Sequence, residues 1–484
     1  KGASYTYTMS YNSTGQIMLA SDPAGGSTAL QRANLTNGYE VSATSALGRP
    51  TTARVEFMAN GDLRRTRVLT DGAQQQQWQS SSGAKTNRYP DGATERWTER
   101  PDPRFGMQVP VFSNWIVRLP SGLAMTANVT RIVAMTNQSW TGLASLTNTL
   151  TVNGRTWRLA YTASNRQIQA TSPGGRLSQM GLDSQGRPIW AQNANMAVIS
   201  NTFDGRGRLT NIRYSAGAEI RRVKCGYDSA GYWNMLVDPL DRTNIWIRDA
   251  IGQAHTNVLA DGQSIVRAFD AHGNTTSITP PGRPAHSFNY DLVDQVTSYT
   301  PPVVGSTTDK VSYTYNADRD LILISRPDGT TVTPGYNAGG QLSTVTIPGG
   351  TCTLNYYTNG LLATNTVPGS ATLSYGYDGS LLTSLAWSGV VTGRVNYGYD
   401  NSFRLTSFNI NGGTAINYGY DLDDLLTNAG SCFYTRDALN GWLTGSTLSN
   451  VTDALSFNGF AEITNRSTVC NGTNLFACAY GYDA

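Results

Sequence analysis

The chain has only three imidazoles, His255, His272 and His286. General acid–base work or metal ligation would need them near carboxylates or thiols, yet their separations of 17 and 14 residues match no ligand pattern of the H-E-x-x-H kind. Each falls on or beside a turn signal, so exposed turn histidines are expected. The densest acids are Asp421, Asp423 and Asp424. Calcium would suit such oxygens, but the full loop pattern for that ion is missing and turn hydrogen bonding explains the cluster more simply. Five cysteines are scattered and form no C-x-x-C pair. Cys470 and Cys478 alone are near enough in sequence to suggest a bridge across one hairpin. Trp78, Trp97, Trp115, Trp140, Trp157 and Trp190 could stack on sugar rings, or pack inward as large apolar side chains usually do in a β core. The nucleophile elbow, the phosphate loop and the dinucleotide fingerprint are all missing. Acidic residues recur mainly because the turns recur, so their presence is no sign of a catalytic dyad. No catalytic residue, cofactor site or metal site is assigned.

What these residues share is a repeated frame. From about Leu182 to Asp483 an aromatic or aliphatic residue is followed by Asp or Asn, two variable residues, usually Gly, then Arg or Gln, then Leu and a Thr/Ser-rich stretch. Phe203-Asp204-Gly205-Arg206-Gly207-Arg208-Leu209 and Tyr336-Asn337-Ala338-Gly339-Gly340-Gln341-Leu342 are clean copies. Further markers include Tyr227-Asp228, Tyr290-Asp291, Tyr399-Asp400 and Tyr420-Asp421, and Tyr357 occupies the position in a degenerate copy. Markers mostly fall 20–25 residues apart, with one gap of 16. So steady a period is the signature of a repeat architecture.

Half a period after each marker comes a second turn signal, such as Ala216-Gly217, Asp261-Gly262, Asp328-Gly329 or Asn411-Gly412. Two turns leave two segments rich in Thr, Val, Ile, Tyr and Leu, each the length of a strand. One repeat is therefore one β-hairpin, and these dipeptides are expected to form two-residue loops. A lone hairpin is marginal in water, so successive hairpins must pair edge to edge into a long antiparallel sheet that twists and curls. Within the marker the aromatic packs on the sheet while the acid binds turn amides.

The sentence Tyr-Asp-x-x-Gly-Arg/Gln-Leu, at a period near twenty-one, resembles the YD repeats of the RHS family. That family includes polymorphic toxin shells, the teneurins and the B and C components of insecticidal toxin complexes. The resemblance covers residues 182–484 well and the first third loosely. It implies an all-β fold of tandem YD-repeat hairpins, part of a spiral hollow β-shell, often around a C-terminal toxin or other cargo. No segment matches the self-cleaving aspartyl dyad of that family, so no catalytic residue is carried over.

Composition agrees with an all-β chain. Charged residues make up 14%, Gly numbers 50 and Tyr 25, and long helix-forming runs are missing. A net charge of +3 argues for neither nucleic acid nor anionic membrane surfaces. Arg64, Arg65 and Arg67, and Arg221, Arg222 and Lys224, are expected on solvated strand faces. No apolar run approaches the length of a membrane span, and residues 1–10 have no signal-peptide profile. Residues 1–150 read as divergent repeats and residues 151–484 as regular ones, continuous with the first part. Within residues 54–133 the period blurs, and Glu99 to Pro110, with Pro101, Pro103 and Pro110, is expected as an edge loop. Eight N-x-[ST] sequons occur, at Asn12, Asn34, Asn128, Asn137, Asn274, Asn450, Asn465 and Asn471. Because the chain opens inside a strand-like segment and ends one step into a new repeat, it reads as a piece of a longer protein. Its expected partners are the rest of that protein and a C-terminal cargo, in a secreted or cell-surface setting. An adhesion module with a cell-surface or glycan partner is the alternative, and it requires aromatics exposed in a row. An enzyme is the third reading, and it needs a polar cleft with converging carboxylates.

Overall fold

Each marker turn closes by bonds that its own residues supply. In the copy at Phe203 the Asp204 amide donates to the Arg208 carbonyl at 2.9 Å and the Gly207 amide to the Asp204 carbonyl at 2.9 Å. Gly207 takes φ +83°, which L-residues avoid, and the ladder carries a bulge at Phe203, opposite Leu209. This is a tight turn closed by a left-handed residue. At five markers a non-glycine holds that position, among them Phe403 at φ +61° and Ala461 at φ +80°. Left-handed backbone costs an L-residue roughly 1–2 kcal/mol. Ala461→Gly should therefore raise stability by about 1 kcal/mol, read as a higher denaturant midpoint at unchanged slope.

The computed structural model describes residues 5–137, 139–303, 309–369 and 371–483. Those residues form 43 strands and no helix. Consecutive strands pair antiparallel, as Ser27–Leu35 does with Gly38–Ser45 and Val451–Phe457 with Ile463–Cys470. Alternation is plain in Val451–Phe457, where Val451, Asp453, Leu455 and Phe457 are half-buried and Thr452, Ala454 and Ser456 exposed. No helix among the described residues is long and apolar enough to cross a membrane, which says nothing of a β-barrel.

Packing divides the chain into two units. The first comprises residues 1–96, 118–122 and 246–395, the second residues 97–117, 123–245 and 396–484. Neither contains a large side chain that is fully buried among the described residues. In the first unit the buried apolar residues are Ala73, Ala93, Leu119 and Val332, and in the second Ala127, Ala197 and Val237. Ala73, Ala93, Leu119 and Ala197 sit at half-repeat turns, so much of the closest packing lies at the ribbon's edges rather than in a central core.

Three expectations are corrected here. Glu99 to Pro110 is no loop: Thr94–Asp102 and Gly106–Arg118 are strands joined by a short turn, with Thr98 Oγ1 2.9 Å from Ser113 Oγ. A proline removes only one donor, and Pro101 and Pro110 both lie exposed near the hairpin's end. Asp261-Gly262 and Asp328-Gly329 are not two-residue loops either, since in each only the glycine has positive φ and the turn closes from Leu259 to Gln263 and from Arg326 to Thr330. Asn411 and Gly412 both take positive φ, +52° and +73°, in a turn closed by the Gly413 amide on Ile410 O, but the paired strand resumes only at Ile416, so this too is longer than a two-residue loop. Finally, Cys470 lies opposite Thr473 and Cys478 opposite Arg466. That register parts the two cysteines by about 13 Å along the ladder, beyond disulfide reach, and all five thiols are free.

Candidate functional site

The marker residues form a circuit that joins each repeat to the next. Asp204 Oδ1 accepts the amides of Arg206 and Arg208, both at 2.9 Å, and Oδ2 accepts Arg208 Nε at 2.8 Å. The Arg208 guanidinium then lies 4.3 Å over the ring of Tyr227, the next repeat's marker, and the Tyr227 hydroxyl donates back to Leu209 O at 2.8 Å. Asp400, Arg404, Tyr420 and Leu405 reproduce this circuit at 2.8, 4.8 and 2.7 Å. Aspartate thus holds arginine, arginine covers tyrosine, and tyrosine caps the strand beside the arginine.

Other markers keep parts of it. Tyr290 donates to Thr275 O at 2.8 Å, and Asp291 takes the amides of Val293 and Gln295. Tyr336 donates to Leu321 O at 3.0 Å, and Asn337 donates its Nδ2 to Gln341 Oε1 while its Oδ1 accepts the Gln341 backbone amide, each at 3.0 Å. Asp228 accepts the Tyr232 amide at 2.9 Å. Burial pushes the hydroxyls of Tyr290, Tyr336, Tyr399 and Tyr420 above the usual phenol range. Removing one such hydroxyl, as in Tyr420→Phe, should cost about 1 kcal/mol, measured by denaturant unfolding, with faster exchange at the amides around Leu405.

A second set of bonds was not visible as a motif. Within each unit, marker turns of the later pass meet half-repeat turns of the earlier pass, 241 to 297 residues away. In the first unit Arg319 binds Asp22 at 2.8 Å. Asp318 accepts Ser45 Oγ at 2.6 Å and the Leu47 amide at 3.1 Å, while Arg49 reaches Asp320 at 2.6 Å. Thr70 Oγ1 donates to Gly339 O, and Asp378 takes both the amide and hydroxyl of Ser121. In the second unit Asp423 accepts Ser172 Oγ and the Gly174 amide, each at 2.7 Å, and pairs with Arg176, which also reaches Asp421 at 2.9 Å. Arg155 pairs with Asp424, and Arg221 grips both oxygens of Glu462 at 2.6 and 2.9 Å.

These clasps set the electrostatics. Burial alone would raise the carboxyl of Asp421, but the Leu425 amide, Arg176 and the Asp423 amide outweigh it and hold the group below the ordinary range. Asp22 is lowered in the same way, with Arg319 and the Gly26 and Ala24 amides against burial. The Arg221 bond holds Glu462 low. The cluster Asp421, Asp423 and Asp424 therefore serves the clasp as well as the turn, and no cluster of metal-ligating side chains exists among the described residues. Arg64 and Arg221 are not solvated as expected: Arg64 pairs with Glu56, and Arg221 is 14% exposed because it bridges two passes.

The remaining candidates are dispersed. His255 and His286 lie within strands, not turns. His255 Nδ1 stands 2.9 Å from Thr256 Oγ1, and His286 Nδ1 2.7 Å from the Tyr299 hydroxyl. His272 is in a turn, but its side chain is only 7% exposed, covered by Tyr5. Trp78, Trp97, Trp115, Trp157 and Trp190 are half-buried in strands, and only Trp140 is exposed, in a turn. These six tryptophans form no exposed row.

A family model described as Teneurin YD-shell matches residues 1–484. No curated protein matches the chain. Among solved structures, the crystal structure of TcdB2-TccC3 matches over 98% of this chain and 32% of that one, at 11% identity and TM-score 0.43. TcdB2-TccC3-TEV matches over 95% and 31%, at 11% identity and TM-score 0.47. A Photorhabdus luminescens Tc holotoxin pore carrying a TccC3 substitution matches over 96% and 27%, at 14% identity and TM-score 0.40. The chain spans about a third of the length of these structures' chains.

Proposed function

Because this chain belongs to the teneurin YD-shell family, we propose that it is a wall segment which contains or presents an attached toxin or other polypeptide. The observation that carries this reading is the placement of its tightest contacts. A wall has to seal between successive passes of its ribbon, and here residues 241 to 297 apart are clasped turn to turn while no large side chain is fully buried among the described residues. Enclosure would act by exclusion, keeping proteases and other surfaces away from the cargo. Tyr227, Asp228, Tyr290, Asp291, Tyr336, Asn337, Tyr399, Asp400, Tyr420 and Asp421 are architectural on this reading, each positioning a turn or bracing the next repeat. Residues 1–150 and 151–484 act as one ribbon, joined to the remainder of a longer protein in a secreted or cell-surface setting. The half-buried tryptophans give the glycan-binding alternative no support.

Limited proteolysis of the full-length protein tests the reading. Cargo peptides should resist digestion while the wall is closed, and become sensitive when Arg176→Ala and Arg221→Ala together weaken the clasps. Cargo digested at the same rate in both proteins would overturn it. A cryo-electron-microscopy map should also hold density inside a closed lumen.

A further inference from the structure

The strand ladder and the lateral clasps answer differently to acid. Ladder bonds join backbone amides to backbone carbonyls, which do not titrate in water. The clasps are mostly bonds between carboxylates and guanidinium, hydroxyl or amide donors. We propose that the clasps are an acid-operated release: protonating their carboxylates parts the two passes of the ribbon within each unit while its strands stay paired. This holds whatever the wall encloses.

In the second unit Arg221 with Glu462 and Glu219 forms one group of clasp charges, and five neighbouring turns carry another. Arg155 opens the strand Arg155–Thr162 directly after the turn that follows Leu143–Val152, and Arg176 comes from the turn after Gln167–Thr171. Asp400 and Arg404 share a marker turn, as do Asp421, Asp423 and Asp424. Arg436 and Asp437 stand at the next, where Arg436 donates to Leu426 O and Gly441 O and Asp437 takes the amides of Leu439 and Asn440. None of these turns holds a histidine or lysine. At neutral pH Arg155, Arg176 and Arg404 are paired with Asp400, Asp421, Asp423 and Asp424; once the carboxylates are protonated, only the mutually repelling guanidinium groups stay charged. In the first unit Asp22, Asp318 and Asp320 face Arg49 and Arg319 in the same manner, with Tyr7 beside Arg319.

The sign follows from the direction of the shifts. Asp22, Asp400 and Asp421 are each depressed in the folded chain, because their arginine and amide bonds outweigh burial. Stabilisation from such groups is whole above the unfolded carboxylate range, about 4, and drains as pH falls through the native values. What would still join the passes is uncharged: in the first unit Thr70 Oγ1 on Gly339 O and Leu119 close to Gly379, and in the second the Ala124 amide on Asn401 Oδ1, Asn153 Nδ2 on Asn401 O, Asn440 Nδ2 on Asn195 Oδ1 and the Ala197 amide on Gly459 O.

Two amides report on the clasps directly. Gly174 N–H donates to Asp423 Oδ1 and Leu47 N–H to Asp318 Oδ1. Amide exchange of the intact chain, corrected for intrinsic rates, should show protection at both falling at least tenfold as pH is lowered below the unfolded carboxylate range, about 4, and the passes part, while the amides of Arg155–Thr162 keep theirs. Arg176→Met supplies the opposite sign. It leaves Asp421 and Asp423 repelling each other at neutral pH, so Gly174 should exchange fast at pH 7 and gain protection as acid neutralises Asp421. Loss of Gly174, Leu47 and the ladder together in one transition would overturn the proposal, as would a wild-type pH profile in Arg176→Met.

Discussion

Arg131→Met should destabilise the second unit by about 3 kcal/mol, and the loss should shrink as pH falls. Asp102 ends the strand Thr94–Asp102 with a side chain that is 0% exposed. One oxygen accepts the amides of Arg104 and Phe105 at 2.7 and 3.1 Å; the other accepts Arg131 Nη1 at 2.7 Å. Arg131 is itself held by Asn148 at 2.8 Å. Methionine keeps the apolar stem and removes only the cation, leaving a buried carboxylate with two amide donors and no counter-ion. Stranding a buried charge costs roughly 3–5 kcal/mol, and the two remaining donors favour the lower end. Burial alone would raise this carboxyl, but Arg131 and the two amides hold it low, so the wild-type contribution is full at neutral pH and is lost as pH falls through the native value. Without Arg131 the burial effect gains ground and the carboxyl rises, so folding of the variant takes up a proton and the deficit narrows in acid. Denaturant unfolding at pH 7 and pH 4, with exchange of the hairpin's amides as a local readout, measures both effects. Asp102→Asn added to Arg131→Met should recover part of the loss, and a deficit independent of pH would refute the argument.

That hairpin also marks where sequence reading stops. Three prolines within residues 101–110 argued against strands because each lacks a donor, yet the decisive feature is Asp102, whose partner Arg131 is 29 residues on. The repeat itself was legible because its signals are local: Asp204, Gly207 and Arg208 lie within five residues and suffice to close a turn. Each marker acid was expected to bind turn amides, and Asp204, Asp291 and Asp421 do. The clasps could not be read in this way, since Arg176 and Asp421 are 245 residues apart and nothing local ties one to the other. A faint signal exists in hindsight. Ser45-Ala46-Leu47-Gly48-Arg49 and Ser172-Pro173-Gly174-Gly175-Arg176 share S-x-x-G-R, and each meets a marker turn with Asp two residues after the marker, Asp318 or Asp423. A second missed signal is the glycine before the marker aromatic. At Gly419 a Cβ would stand 2.1 Å from Asn428 Oδ1, and at Gly335 2.3 Å from Thr344 Oγ1, so the facing polar side chain occupies the space a larger residue would need. The histidines were misplaced because turn residues flank them in sequence, whereas His255 and His286 lie inside strands.

The largest effect on the seal between passes should come from reversing one clasp. Arg221→Glu is expected to destabilise the second unit by about 4 kcal/mol, and adding Glu462→Arg should restore at least half of that. Arg221 grips Glu462 with two bonds, donates to Glu219 at 3.0 Å and lies 4.0 Å over the ring of Phe460. Its side chain is 14% exposed and that of Glu462 23%, so the pair is poorly screened by solvent. Reversal removes the cation and sets three carboxylates together, adding repulsion to the stranded charge. The swapped pair returns one attraction but loses Glu219 as a partner and the stacking on Phe460, which is why recovery should be incomplete. Packing nearby is untouched, because the Ala197–Gly459 backbone bond and the approach of Gly459 to Ala216 involve neither side chain. A double-mutant cycle therefore separates charge from contact: a coupling of about 2 kcal/mol or more assigns the seal to the ion pair, since neighbouring charges couple by roughly 0.5–3 kcal/mol. Coupling below about 0.5 kcal/mol would assign it to the backbone bond and the glycine contact, and would remove the electrostatic basis for acid release in this part of the ribbon. Exchange at the Ala197 amide gives the local check, since it should quicken in Arg221→Glu and slow again in the swapped pair.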